Sequence, residues 1–142
     1  MKSYVKLFLL LLIMNVEAQV VSNNTQLQNA ISNAQAGTII ELADGTWQDV
    51  QLSINVNATE SQPCIIKVQN PWSVFFEGRS KISIGGSYII FEGVVFQNAS
   101  GLISDNDRIE PVIEFRDTSN NDCFKCHVRN VKIDSYNGTT SQ

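Results

Sequence analysis

Between Ser80 and Asn98 the apolar side chains fall on alternate positions in three very short runs: Ile82 with Ile84, Ile89 with Phe91, and Val94 with Phe96. Alternation with period two predicts half-buried strands. Gly85-Gly86 and Gly93 are expected to break the runs, since glycine takes up the backbone of a tight corner without a side-chain clash. Strands this short suit a chain that turns every few residues and stacks each lap on the last. The pattern returns 37 positions on, where Ile89 falls on Cys126, Phe91 on Val128, Gly93 on Asn130, Val94 on Val131 and Phe96 on Ile133. Self-similarity at a fixed offset is the mark of a solenoid. It predicts parallel strands whose inward Ile, Val and Phe stack along one axis. An antiparallel sandwich of similar length is the competing arrangement.

The rest of the chain reads as earlier and later laps. Ser22 to Ala36 is predicted to be a helix. Thr25 and Gln28 are placed as a capping box, Leu27, Ala30, Ile31 and Ala34 as its apolar stripe, and Gly37 as its C-terminal stop. A lone amphipathic helix ahead of a run of strands is expected to cover the open end of the first lap. Thr38 to Leu42 is a predicted strand, Ala43 to Thr46 a turn, and Gln48 to Gln62 a polar arm without regular structure. Cys64 to Val68 and Val74 to Phe76 are further strands, with turns at Asn70-Pro71 and Glu77-Gly78. Gly101 to Pro111 reads as a loop, Val112 to Phe115 as a strand and Ser119 to Asp122 as a turn. The fold class expected is therefore all-β, a right-handed parallel β-helix with an N-terminal capping helix. No cap follows the last lap, so its core and strand edges are expected to lie open and the helix to be incomplete at its C-terminal end.

The first residues carry a different pattern. Lys2 and Lys6 precede the apolar run Leu7 to Met14, and Val16-Glu17-Ala18 offers small residues where a signal peptidase reads. Residues 1–18 are expected to be a secretory signal peptide, the alternative being an N-terminal membrane anchor. Residues 19–142 would then be the β-helix domain, secreted or periplasmic and without a membrane segment. Removing Lys2, Lys6 and Glu17 from the ten basic and fourteen acidic side chains leaves eight and thirteen. That acidic balance argues against nucleic acid as a partner. Yet Arg108, Arg116, Lys125, Arg129 and Lys132 place five of the eight cations in the last third, where an anionic polymer could be held. Cys64, Cys123 and Cys126 are an odd number for an exported chain and so not a disulfide framework; a buried thiol is sufficient explanation for at least Cys64, in the apolar run Pro63 to Val68.

Two short motifs invite chemistry. Cys123-Phe124-Lys125-Cys126-His127 matches the haem attachment pattern C-x-x-C-H. His127 is the sole histidine, however, and both methionines, Met1 and Met14, fall in the leader, which leaves no second axial ligand of either type. Asp105-Asn106-Asp107 with Glu110 could ligate calcium, but lacks the glycine and alternating ligands of a calcium loop. Sequons begin at Asn23, Asn57, Asn98 and Asn137 and matter only in a host that glycosylates.

The ordered series of motifs resembles polysaccharide lyase family 6, the alginate lyase and chondroitinase B group. The carrying residues are Leu27 to Ile31, Ala34 to Gly37, Thr38 to Trp47, Pro63 to Lys67, Phe76 to Ser80 and Tyr88 to Asn98, with Val112 to Arg116 and Asn130 to Asn137 like a further rung. The family often has Gly-Asp-Thr where Gly37-Thr38 stands, and tyrosine where Trp47 stands. The resemblance implies a calcium-assisted β-elimination on an anionic uronate polysaccharide of alginate or chondroitin type. It implies calcium held by an asparagine and two glutamates, a lysine as base and an arginine assisting the leaving group. None of these matches a residue here, so no catalytic, cofactor-binding or metal-ligating residue is assigned. They are expected beyond Gln142, with calcium a cofactor of the longer enzyme only. A non-catalytic β-helix module that binds glycan or serves as a structural segment is the alternative.

Overall fold

The computed structural model describes residues 17–100, 110–116 and 123–134. Twelve strands and one helix are present among them. β1 (Gln19–Val21) and α1 (Asn24–Ser32) precede the first full lap, which is β2 (Ile39–Leu42), β3 (Gly45–Gln48) and β4 (Gln51–Asn57). The next laps are β5 (Cys64–Val68), β6 (Val74–Gly78) and β7 (Lys81–Ser87), then β8 (Ile89–Glu92), β9 (Val95–Ala99) and β10 (Ile113–Phe115), and then β11 (His127–Arg129) with β12 (Lys132–Ile133). Successive laps stack into three sheets, in the orders β1-β2-β5-β8-β11, β3-β6-β9-β12 and β4-β7-β10. Every pair of named strands runs parallel. The fold is a parallel β-helix, and the antiparallel sandwich is excluded.

The core is a set of ladders running up the axis. Trp47 registers with Phe76 and Phe76 with Phe96, and their rings lie 6.2 and 5.5 Å apart. Ile40, Ile66, Phe91 and Val128 form a second ladder; Leu52 with Ile82, and Ile54 with Ile84, begin two more. Ser80 is the buried polar side chain among them. Its hydroxyl donates to the Glu77 carbonyl at 2.6 Å and accepts the Val50 amide at 2.9 Å, so the corner between β6 and β7 leaves neither backbone group orphaned.

The expected repeat offset is the observed register. Val128 pairs with Phe91 and Ile133 with Phe96, each separated by 37 residues. The corners repeat with it: Tyr88 and Lys125 have φ of 51° and 52°, and Gly93 and Asn130 are both left-handed. The basic lap is nevertheless shorter. Ile39 to Ile65 is 26 residues and Ile65 to Ile90 is 25. The last lap is longer because long connections join β9 to β10 and β10 to β11.

Four expectations need correction. The helix is Asn24–Ser32, shorter than predicted at both ends. Its N-cap is Asn23, whose side chain accepts the Gln26 amide at 2.9 Å, and not Thr25; its C-cap is Asn33, and Gly37 serves a later turn by donating to the Gln62 carbonyl. Gln48 to Gln62 is not an irregular arm but holds β4, with Leu52, Ile54 and Val56 buried and every intervening side chain exposed. Gly85-Gly86 does not break its run, since β7 continues through both to Ser87. Finally, the turn at Ala43 to Thr46 ends early, because β3 begins at Gly45.

The helix caps the first lap in more than one way. Leu27, Ala30 and Ile31 are buried against the core. Asn24 Nδ2 donates to the Gln48 carbonyl at 2.8 Å, and Gln28 Nε2 donates to the Gln51 carbonyl. These carbonyls belong to β3 and β4, which have no earlier strand below them. The opposite end differs. Phe115, Phe124 and Ile133, on or beside the last described strand of each sheet, are each more than half exposed.

Candidate functional site

The outer face of the five-stranded sheet brings polar, charged and aromatic side chains together. Alternation turns Ile40, Ile66, Phe91 and Val128 inward and therefore Glu41, Lys67, Glu92 and Arg129 outward. Register aligns Glu41 with Lys67 and Glu92 with Arg129. Lys67 Nζ meets Glu41 at 3.1 Å. The guanidinium of Arg129 has no hydrogen bond or ion pair among the described residues.

Two depressions lie on this face. One, of about 400 Å³, is lined by Lys67, Val68, Gln69, Pro71, Trp72, Glu92, Gly93 and Asn130. Trp72 is 50% exposed and its φ is +64°, a left-handed backbone that bulky residues rarely adopt. The other, of about 480 Å³, is lined by Glu60, Pro63, Tyr88, Ile90, Lys125, His127 and Arg129. Here Phe124 packs edge-on to Tyr88 at 5.6 Å, and Lys125 Nζ lies 5.9 Å from the Phe124 ring centre. Cations, an amide and exposed aromatic rings on a stiff sheet can hold a polar ring with an acidic group. They offer no activated nucleophile.

The sequence-predicted residues fall in several places. Lys125, His127 and Arg129 come together on this face. Lys132 is tied to Asp134 at 2.8 Å and Arg116 to Glu114 at 2.8 Å. Arg108 and Asp105 to Asp107 lie outside the described residues. Glu110 is turned to Lys81, whose hydrogen bond holds its carboxyl below the ordinary value. Among the described residues no three His, Cys, Asp or Glu side chains gather to hold a metal. The C-x-x-C-H motif does not form a haem cradle. Cys123 and Cys126 pack against the core, with Cys126 Sγ 3.6 Å from the Gly86 carbonyl, whereas His127 is exposed on the outer face. Burial, followed by a hydrogen bond to Cys126, pushes the Cys123 thiol up to about 12. Trp72 was not legible as a site residue, since it follows the turn pair Asn70-Pro71 and belongs to no periodic run.

Comparison with known proteins places this architecture. The family profile for chondroitinase B matches residues 21–142. A search of curated protein sequences gave no match. Among solved structures, the PL6 family alginate lyase AlyGC superposes with a TM-score of 0.70 at 26% identity, over 82% of this chain and 15% of its own. The PL6 family polysaccharide lyase Pedsa3628 from Pseudopedobacter saltans gives 0.67 at 28% identity, over 81% of this chain and 24% of its own. A mannuronic acid specific polysaccharide family 6 lyase from human gut microbiota, at 18% identity and a TM-score of 0.68, shares the fold over 80% of this chain and 25% of its own. The chain thus spans a quarter or less of these proteins. With the match running from the first strand through the last described lap, the chain belongs to the chondroitinase B family.

Proposed function

We propose that the chain forms the N-terminal rungs of an exported lyase that cleaves anionic uronate polysaccharides, of alginate or chondroitin type, by calcium-assisted β-elimination. The observation that carries this is the family match over residues 21–142. One solved relative is an alginate lyase and another a mannuronic acid specific lyase, and this supports a uronate as the substrate class. Elimination of that kind needs a base for the proton beside the carboxylate, a charge that steadies the resulting enolate, and a donor for the leaving oxygen. None of the residues implied for that chemistry by the family resemblance matches a position of this chain. Because the chain covers only 15% and 24% of the solved lyases it matches, we assign the chemistry to further rungs, stacked on the end where Phe115, Phe124 and Ile133 are exposed. Export, to the periplasm or the medium, rests on the leader pattern of residues 1–18.

The test compares the 142-residue chain with the product of the reading frame extended past codon 142. The unsaturated uronate formed on alginate or chondroitin is followed by its ultraviolet absorbance. The longer protein is expected to cleave and the shorter one not to. Cleavage by the shorter chain would overturn the placement of the chemistry. A stop codon at that point, with no cleavage, would instead favour a non-catalytic glycan-binding module. That second reading is favoured by the two depressions on the outer sheet face.

A further inference from the structure

We propose that Trp72 and the depression beside it form a non-catalytic subsite for one acidic sugar ring, with Arg129 meeting its carboxylate; the choice of a uronate rests on the proposed function. Trp72 presents half of its surface to solvent, and no other ring packs on it among the described residues. The backbone at this position is left-handed, which costs free energy for a bulky residue and is a feature of sites where a side chain is aimed for use. An exposed indole offers a flat apolar face to the C–H face of a pyranose. Lys67, Gln69 and Asn130 line the same depression and can donate to hydroxyl groups.

The contact to a carboxylate rests on Arg129, the last cation of the outward series Glu41, Lys67, Glu92 and Arg129. On this face Lys67 is neutralised by Glu41 at 3.1 Å. Glu92 lines the depression and stands one rung below Arg129 in register. Glu60 lines the neighbouring depression together with Lys125 and His127. Arg129 lines the second depression and is the neighbour of two residues that line the first, Asn130 in the chain and Glu92 in register. Its planar guanidinium, without a hydrogen-bond partner among the described residues, suits a two-point contact with a carboxylate. Exposed ion pairs contribute little singly, so weak, salt-sensitive binding is expected.

The two tryptophans make the test direct. Trp47 is buried, with Nε1 donating to the Ala43 carbonyl at 3.2 Å, so its emission is an internal reference. The 142-residue chain is titrated with a short alginate-derived oligouronate, and emission and acrylamide quenching are followed. The expected result is protection of the exposed tryptophan, weakened by salt. Calorimetry should show affinity falling about tenfold in Trp72→Ala and in Arg129→Ser, with melting temperatures unchanged. A neutral β-1,4-glucan oligomer should bind more weakly than the oligouronate. Absence of protection, calorimetric affinity unchanged by either substitution, or equal binding of the neutral oligomer would overturn the proposal. These outcomes separate from those for the lyase: cleavage by the longer protein with no protection of Trp72 sinks the subsite alone, and protection without cleavage sinks the lyase alone.

Discussion

Gly86 lies against the backbone of Val56 on the neighbouring lap. A β-carbon at position 86 would stand 2.4 Å from the Val56 carbonyl oxygen and 2.9 Å from its carbonyl carbon and amide nitrogen. The residue is also left-handed, with φ of +86°. Parallel stacking brings backbone to backbone here, and neither strand can step aside without breaking its ladder. Gly86→Ala is expected to lower stability by about 3 kcal/mol or more in chemical denaturation. Gly93 provides the contrast, because its added β-carbon would meet the Val68 side chain, 2.4 Å from Cγ2. Pairing Gly93→Ala with Val68→Ala should recover part of the loss, whereas trimming Val56 to alanine should not rescue Gly86→Ala. Rescue at position 86 would show that side chains, and not backbones, set the spacing of these laps.

The aromatic ladder predicts where the core is least forgiving. Phe76 is fully buried and touches three rings: Trp47 at 6.2 Å, Phe91 at 6.5 Å and Phe96 at 5.5 Å. These rings come from the laps on both sides of Phe76, so a void there cannot be filled by one neighbour moving in. Phe76→Ala should cost about 3–5 kcal/mol, and Phe76→Leu clearly less. A loss under about 1 kcal/mol for the alanine variant in urea unfolding would mean that the ladder collapses around the gap.

What the sequence disclosed, and what it did not, follows from how a solenoid exposes its strands. β8, β9, β11 and β12 were legible because Ile89, Phe91, Val94 and Phe96 recur at the observed register. β4 was not, since Leu52, Ile54 and Val56 alternate with Gln, Ser and Asn, a polar content that resembles a loop. In a β-helix the outer face of a strand is wet along its length, so that content is ordinary. Glycine misled for a related reason. Gly93 marks a corner as expected, but Gly86 lies inside a strand, where contact with Val56 requires the missing side chain. At the candidate site, Lys125 and Arg129 could be picked out by charge. Trp72 could not, because the lap that brings Asn130 beside it is a long-range consequence of stacking.

Cys64 gives a pH test of the core. It is fully buried, one lap below Ile89, and burial pushes its thiol from 9.0 up to about 11. The folded form therefore holds a proton that the unfolded chain releases. The contribution is complete below pH 9.0 and is lost as pH rises through about 11. Two pH units correspond to about 2.7 kcal/mol. Stability measured across that window should decline less in Cys64→Ala than in the parent protein. The same burial makes the thiol a poor nucleophile, so a thiol reagent near neutral pH should label Cys64 only after denaturant is added. Rapid labelling of the native chain at Cys64 would contradict its place in the ladder.

Glu77 should act in the opposite direction and at the acidic end. Register slips between β6 and β9, so that Gln97 and Asn98 both face this one carboxylate. Gln97 Nε2 and Asn98 Nδ2 donate to Oε1 at 2.7 and 3.0 Å, and Gln48 Nε2 donates to Oε2 at 2.8 Å. The Gln97 bond, followed by those from Asn98 and Gln48, holds the carboxyl below its ordinary value of 4.5. The folded form thus favours the charged state. Its stabilising effect is present above that value and is lost as pH falls through the lower, folded one. In Glu77→Gln the new amide has a single acceptor oxygen and turns an N–H₂ group toward donors. That variant should be less stable than the parent protein at neutral pH, and the gap should close on acidification. The check is denaturant unfolding of both proteins at neutral pH and at pH values below 4.5. A gap that stays constant with pH would mean that the bulge is held by its backbone and that the three amides are along for the ride.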